Sequence, residues 1–395
     1  MNLKYLYNIL CMLAVSLAAT SCHDSDSTDE PDPPVPTRPS DSVHRTVLVY
    51  MLADNSLGTW SNDLSDLNEM LSAAATGALN GGRLIVYHSR PGTDSGKAPQ
   101  LLEVTADGIE TIKTYPDDPS IYSVDADRMS QVIDEVKALA PADDYGLVLW
   151  SHANGWMETS MSRSFGDDRR YTMKISSLAK ALDGKDFSFI YFDCCSMASV
   201  EVMWELRHAA PVIVASGIEL PADGMPYDLT LPYLFASGDP DVVGAASTTF
   251  DHYDSMIGSA RTCAMTAVNT SAMQALADAS GDIFAGVTEF DPSLSSVQPY
   301  FRSAVRTYMY DFEDYIERLN PTPAQIRAWR DALADAVVYK ANTPSLFNLV
   351  DIDRYCGLGS YVILDSREIS AFNYNEREWY RDVVSRSPLL ATDNP

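Results

Sequence analysis

GLVLWSHANGW (residues 146–156) and FSFIYFDCCSM (residues 187–197) share one pattern: a short apolar run that breaks off into small and polar residues. Runs this short, apolar throughout and rich in branched and aromatic side chains, mark strands covered on both faces. Between them, residues 175–182 carry apolar side chains at helical spacing. Strand, helix and strand in that order predict a parallel βαβ unit with a right-handed crossover. In an open parallel sheet the carboxyl ends of neighbouring strands border one crevice, and ligands bind there. His152 lies just beyond the first run, and Cys194 and Cys195 lie just beyond the second. The fold alone is thus expected to bring an imidazole and a thiol to the same sheet edge.

The pattern extends on both sides. RTVLVYML (45–52), RLIVY (83–87) and PVIVA (211–215) read as further buried strands, and the alternation over 100–114 as short paired strands. Leu64, Leu67 and Leu71 share a helical face, residues 125–139 carry a helix that stops at Pro141, and Val200, Met203 and Trp204 mark another. The fold class expected is α/β, a three-layer α/β/α sandwich around a mostly parallel sheet. Beyond residue 255 the pattern turns helical, with long stretches at 300–319 and 322–341 and a last strand-like run, GSYVIL, at 359–364. The expected organisation is a catalytic domain at 44–255 and a C-terminal accessory region at 256–395.

Thiol-based peptide hydrolysis needs a nucleophilic sulfur, an imidazole to manage protons and donors for the oxyanion. A helix directly behind the cysteines would set its positive end against the thiol and favour thiolate. Backbone N–H groups at Cys195 and near Ala153 and Gly155 are candidate oxyanion donors. Taken singly, a histidine after a strand reads as a structural hydrogen-bonder, and a cysteine there as a small core residue. The functional reading rests on their joint placement, which leaves Cys194 and Cys195 as rival nucleophiles.

The N-terminus adds an address. One lysine, an apolar run at about 9–19 and the ending Ala19-Thr20-Ser21-Cys22 resemble a bacterial lipoprotein signal, removed as residues 1–21, with Cys22 lipidated. Acidic and proline-rich residues at 22–43 then form an extended tether. The chain is expected at the outer membrane, on the cell surface, held by its lipid anchor. A formal net charge of −27 argues against nucleic acid as a partner, since both are negative. A monomer is expected. The cysteines show neither metal-type CxxC spacing nor a disulfide framework.

RTVLVYMLADNSL with Asp66–Met70, LVLWSHANGW, YFDCCSMASVE, VASGIELPADGMPYD and CGLGSYVIL resemble, in order, successive segments of the clostripain family of cysteine peptidases. The resemblance runs from about residue 45 to 380 and implies the caspase-like sandwich shared with gingipains and legumains. It implies peptide or protein substrates, Cys195 as nucleophile with Cys194 at the family's alanine position, and His152 as catalytic histidine. Ala153 and Cys195 supply the oxyanion donors by that alignment. Family members cleave after arginine or lysine through acidic residues, matched here by Asp193 and by Asp223, which also reads as a turn residue. A carboxylate facing a guanidinium makes strong charge-assisted hydrogen bonds. Some members mature by cutting after a basic residue, for which Arg163, Arg169 and Arg170 are candidates. Some need calcium, but no EF-hand spacing is present, so calcium is the one possible cofactor and has no assigned ligand. Three departures stand out: Ser196 replaces the usual leucine, Ala153 the usual glycine, and residues 19–21 before Cys22 lack the leucine common in lipoprotein signals. If position 153 needs a positive φ, the added Cβ would disturb an oxyanion donor. The alternative is then a weak or inactive lipoprotein that binds peptides or glycans.

Overall fold

The computed structural model describes residues 43–90, 98–118, 120–157, 164–300 and 309–391. The signal segment, Cys22, the tether up to residue 42 and Arg163 lie outside the described residues.

Among the described residues the strands, in chain order, are β1 (Val43–Leu52), β2 (Arg83–Ser89), β3 (Gln100–Thr105), β4 (Gly108–Thr114), β5 (Ala142–Trp150), β6 (Phe165–Asp168), β7 (Tyr171–Met173), β8 (Phe189–Asp193), β9 (Val212–Ser216), β10 (Ala264–Asn269), β11 (Tyr310–Asp311), β12 (Val337–Asn342), β13 (Ser345–Leu346), β14 (Val350–Asp351) and β15 (Gly359–Ser360). Nine of them form one sheet in the order β12-β10-β9-β8-β5-β1-β2-β3-β4. The five central strands are parallel, while the pairings at either end, β2–β3–β4 on one side and β9–β10–β12 on the other, are antiparallel. Two strands of the sheet therefore come from beyond residue 255.

Among the described residues the α-helices are α1 (Ser56–Thr59), α2 (Asn62–Ala75), α3 (Ala126–Leu139), α4 (Ile175–Leu182), α5 (Val200–Glu205), α6 (Tyr227–Leu234), α7 (Val242–Asp254), α8 (Met273–Phe284), α9 (Phe312–Arg318), α10 (Pro323–Ala336), α11 (Arg367–Ala371) and α12 (Glu378–Asp382). They form two layers because alternate residues of each central strand point to opposite faces. On one face Tyr50, Tyr87, Leu149 and Phe192 pack with α3, α4, α5 and α8. On the other, Val49, Val86, Val148 and Tyr191 pack with α2, α6 and α7. Helix α3 shows the local logic. Asp125 caps it by accepting from the Asp127 and Arg128 amides, Met129, Val132, Ile133 and Val136 are buried, and it closes before Pro141. Each such side chain contributes about 1.5–3 kcal/mol of burial. Gly146 lies opposite Phe189, and a Cβ there would stand 2.2 Å from the ring.

Three expectations change. In α2 the buried face is Asp63, Asp66, Leu67 and Met70, and Leu64 faces solvent. Two carboxylates take inward positions because partners await them: Asp63 accepts from His88 Nε2 at 2.7 Å and Asp66 from Trp150 Nε1 at 2.6 Å. The expected helix over 300–319 begins only at Phe312 among the described residues, where Asp311 caps it by accepting from the Asp314 amide. The expected helix over 322–341 ends at Ala336, and Val337–Asn342 pairs with β10 instead. No described helix is long and apolar enough to cross a membrane.

Candidate active site

The sheet register delivers both segments to one level, since Trp150 at the end of β5 pairs with Asp193 at the end of β8. Beyond β5 the chain is pinned at Ser151, whose Oγ donates to the Leu52 carbonyl at 2.9 Å and accepts from the Asp167 amide at 3.1 Å. His152 follows, half-buried, with its Nε2 2.8 Å from Ser56 Oγ. Ala153 then bridges Phe165 through flanking bonds, Gly166 N–H to the His152 carbonyl and Asn154 N–H to the Ser164 carbonyl. In such a pair the Ala153 N–H points away from the β6–β7 hairpin. Ala153 keeps a negative φ, and the left-handed position is Gly155, at φ +71°. The Ala153 Cβ is therefore accommodated without backbone strain.

Beyond β8 the chain turns sharply. Ser196 sits at φ +56°, its amide donates to the Ile218 carbonyl and the Ala198 amide to the Ser216 carbonyl, both at 2.9 Å. These bonds draw residues 196–198 alongside the end of β9 and delay α5 to Val200, capped by Ser199. The expectation of a helix N-terminus against the thiol is thus corrected. The cysteines occupy the turn, and the helix dipole falls off within its first turn.

The turn separates the two thiols. Cys194 is buried in the core layer of α3–α5, and burial foremost, then Cys195 and Asp193, pushes its thiol well above the ordinary range. Cys195 is half-buried toward the opposite layer, with Sγ 3.4 Å from the Leu220 amide. Replacing Cys194 by alanine should therefore leave peptide turnover within about twofold while costing about 1 kcal/mol or more in stability. Parallel kinetic and melting measurements check this, and loss of turnover in a folded Cys194→Ala protein would move the nucleophile.

His152, Cys195 and the neighbouring Cys194 border one cavity of about 280 Å³, with the Cys194 side chain buried in the core behind it. Its acidic groups are Asp193 and the half-buried Glu219, and its apolar wall is formed by Leu57, Trp60 and Phe347. Asp193 is buried. Its Oδ1 accepts from the Met225 amide at 2.8 Å and its Oδ2 from the Tyr227 hydroxyl at 2.9 Å. Burial pushes its pKa up to about 7, with the Glu69 charge adding and the two hydrogen bonds opposing. Gly224, at φ +63°, lets the 221–224 turn close over this carboxylate, since a Cβ there would stand 2.8 Å from Oδ1. Behind it, Asp66 is raised by burial and by the Asp193 charge, and Glu69 is raised by burial. Asp223 is exposed on the same turn, between the cavity-lining Ala222 and Gly224.

The remaining candidates stand apart. Arg169 and Arg170 form the β6–β7 turn at φ +53° and +74°. Arg169 pairs with Asp168 at 3.1 Å and lies over the Tyr122 ring, and the Arg170 amide donates to Asp167. Ser56, Leu57, Trp60, Glu219 and Phe347 are site residues absent from the sequence reading. Ser56, Leu57 and Glu219 lie inside segments that carry the family resemblance, whereas Phe347 has no sequence signal at all. Among the described residues no group of three or more His, Cys, Asp or Glu side chains is arranged to hold a metal ion.

The model of the clostripain family matches residues 49–356. The chain belongs to the clostripain family. This clostripain-family chain is 31% identical to a C11 protease from Parabacteroides distasonis described as an inactive zymogen, with a TM-score of 0.76 over 88% of this chain and 99% of that one. It is 27% identical to a secreted C11 cysteine protease from Bacteroides thetaiotaomicron solved with an irreversible peptide inhibitor, with a TM-score of 0.73 over 86% and 99%. It is 26% identical to a clostripain from Bacteroides thetaiotaomicron solved with the peptide inhibitor BTN-VLTK-AOMK, with a TM-score of 0.50 over 55% and 97%. No curated relative matches. The fold is that of the C11 proteases, and the chain is a cysteine peptidase acting on peptides or proteins.

Proposed function

We propose that this peptidase works through a Cys195–His152 pair and cleaves after arginine or lysine. The observation that carries the reading is that these two residues leave adjacent parallel strands at one level and border one cavity whose buried wall is acidic. His152 takes the Cys195 thiol proton, the thiolate adds to the scissile carbonyl, and the Cys195 and Ala153 amides receive the oxyanion. Collapse transfers the His152 proton to the leaving amine and leaves an acyl-thioester, which water hydrolyses with His152 as base. Asp193 and Asp223 recognise the cationic side chain, and Glu219 adds a third carboxylate. The lysine that ends the peptide letters of the inhibitor bound to the B. thetaiotaomicron clostripain supports a basic preference.

Self-cleavage is proposed after Arg163. A protease reads an extended substrate, and Arg169 and Arg170 are held in a left-handed turn by their own hairpin. Anchoring through a lipidated Cys22 at the outer membrane, facing outward, is proposed from the signal-like residues 9–22, and the secreted description of one relative supports export alone.

The test uses the soluble chain from residue 23 with fluorogenic peptides ending in Arg, Lys, Ala or Asp, with and without calcium. Turnover confined to the Arg and Lys peptides is expected, with a mass-mapped cut after Arg163. Equal turnover of the Ala peptide would remove the acidic pocket from the reading, and a folded chain inert to all four would remove the dyad.

A further inference from the structure

We propose that Ser56 is a positioning residue for His152, so that the Cys195–His152 pair works as a three-membered relay. The inference rests on the proposed role of His152. The hydroxyl stands 2.8 Å from Nε2, which leaves Nδ1 as the ring nitrogen for the thiol. Its own position is built. Asn55 donates from Nδ2 to the Leu52 and Asp167 carbonyls, both at 2.8 Å, and its Oδ1 caps α1 by accepting from the Leu57 amide at 2.9 Å. Asn55 Nδ2 also reaches Ser151 Oγ at 3.4 Å, next to His152 itself. One asparagine thus ties together the end of β1, the β6–β7 hairpin and the start of the histidine loop. Ser56 is held against the ring on a fixed platform.

The proton accounting gives this contact a chemical consequence. An imidazole that donates from Nε2 keeps its Nδ1 lone pair for the Cys195 proton. The tautomer with its proton on Nδ1 has no lone pair there. The Ser56 hydroxyl can accept from an Nε2–H or donate to a bare Nε2, so in the neutral ring the contact fixes the orientation of the imidazole, and only the imidazolium must donate to it. After proton transfer the same bond is charge-assisted and stabilises the imidazolium of the thiolate pair. The orienting third group of nucleophile–base systems has this role. The titratable groups on the elements packed around His152 are Asp193, Cys195, Glu219 and Asp223 on the cavity side, and Asp54, Asp167, Asp168, Arg169 and Arg170 on the β1–α1 and hairpin side. All are unchanged when the Ser56 hydroxyl alone is removed, so a shifted profile reports the hydroxyl.

Three variants test the proposal. Ser56→Ala should lower kcat on an Arg peptide about 10- to 100-fold with KM little changed, the scale of a hydrogen bond to a charged group. The basic limb of its pH profile should move to lower pH, because the imidazolium loses its acceptor. Ser56→Thr should restore both, and Ser56→Asp should move the basic limb to higher pH. A second readout needs no turnover: the rate at which iodoacetamide alkylates Cys195, mapped by mass spectrometry against pH. Cys194, Cys263 and Cys356 are buried, so Cys195 is the accessible thiol among the described residues. Alkylation of the wild-type protein should persist to lower pH than that of Ser56→Ala. Coincident alkylation profiles, or a change confined to KM or to melting temperature, would overturn the relay. A wild-type chain with no Cys195-dependent turnover but a shifted alkylation profile would break the peptidase reading and leave the Ser56 contact standing.

Discussion

Cys195→Ala should abolish peptide hydrolysis, lowering kcat by at least about 10⁴-fold, while the protein stays folded. Removing a nucleophile leaves only binding and oxyanion stabilisation, and the known scale of such losses is about 10⁴ to 10⁶. The structural cost is small. The side chain is half-buried, and its sulfur accepts from the Leu220 amide at 3.4 Å and reaches the Leu220 carbonyl at 3.8 Å, both weak bonds for a thiol. Alanine keeps the Cβ and the turn held by Ser196 and Ala198, so stability should change by less than about 1 kcal/mol. Burst titration and steady-state turnover on the same preparation, beside a melting curve, decide the matter. If the variant keeps more than about one part in a hundred of wild-type turnover, the chemistry belongs to another residue, and Cys194 would have to be reconsidered despite its burial.

Asp193→Asn should reduce kcat/KM for Arg and Lys peptides about 30- to 1,000-fold and leave a neutral P1 peptide much less affected. The figure is that for removing one partner of a buried charge pair. Asparagine is chosen because both oxygens of Asp193 are engaged, one by the Met225 amide and one by the Tyr227 hydroxyl. Its carbonyl can keep the amide bond, and the tyrosine hydroxyl can turn to accept from the new NH₂ group. A pH dependence follows with a definite sign. Burial raises the Asp193 pKa to about 7, so the pocket gains its charge as pH rises through neutrality, and Arg-peptide affinity should rise with it. The variant should lack that rise. Stability runs the other way. The folded state holds this proton over the window between the ordinary carboxylate value of about 4 and about 7, so its contribution falls as pH increases through that window. A variant that keeps the full Arg preference would shift recognition to Asp223 or Glu219.

Both residues lie at or just beyond the end of β8, a segment readable in the sequence, as His152 lies beyond the end of β5. The apolar runs ending at Trp150 and Phe192 are local signals, and one helix between two buried parallel strands leaves a single right-handed path. From this alone, His152 and the paired cysteines must share a sheet edge, and the chain order of β1, β2, β5, β8 and β9 follows, whereas the β6–β7 hairpin lies in a polar stretch that carries no strand signal. The family resemblance added the choice of Cys195, a choice the residues by themselves left open.

Only the tertiary structure decided the facing of side chains once a strand had ended. The two-residue alternation stops at Asp193, and the turn is set by the Ile218 and Ser216 carbonyls, which belong to the chain just beyond and at the end of β9. Those bonds bury Cys194, aim Cys195 at the cavity and move α5 away from both. The same holds for α2, where His88 and Trp150 draw Asp63 and Asp66 inward against the hydrophobic pattern. It holds again for Ser56 and Phe347, which reach the site from opposite ends of the chain. Periodicity records which face of an element is apolar. It carries no record of a hydrogen bond whose partner lies on another strand, and such bonds place this site.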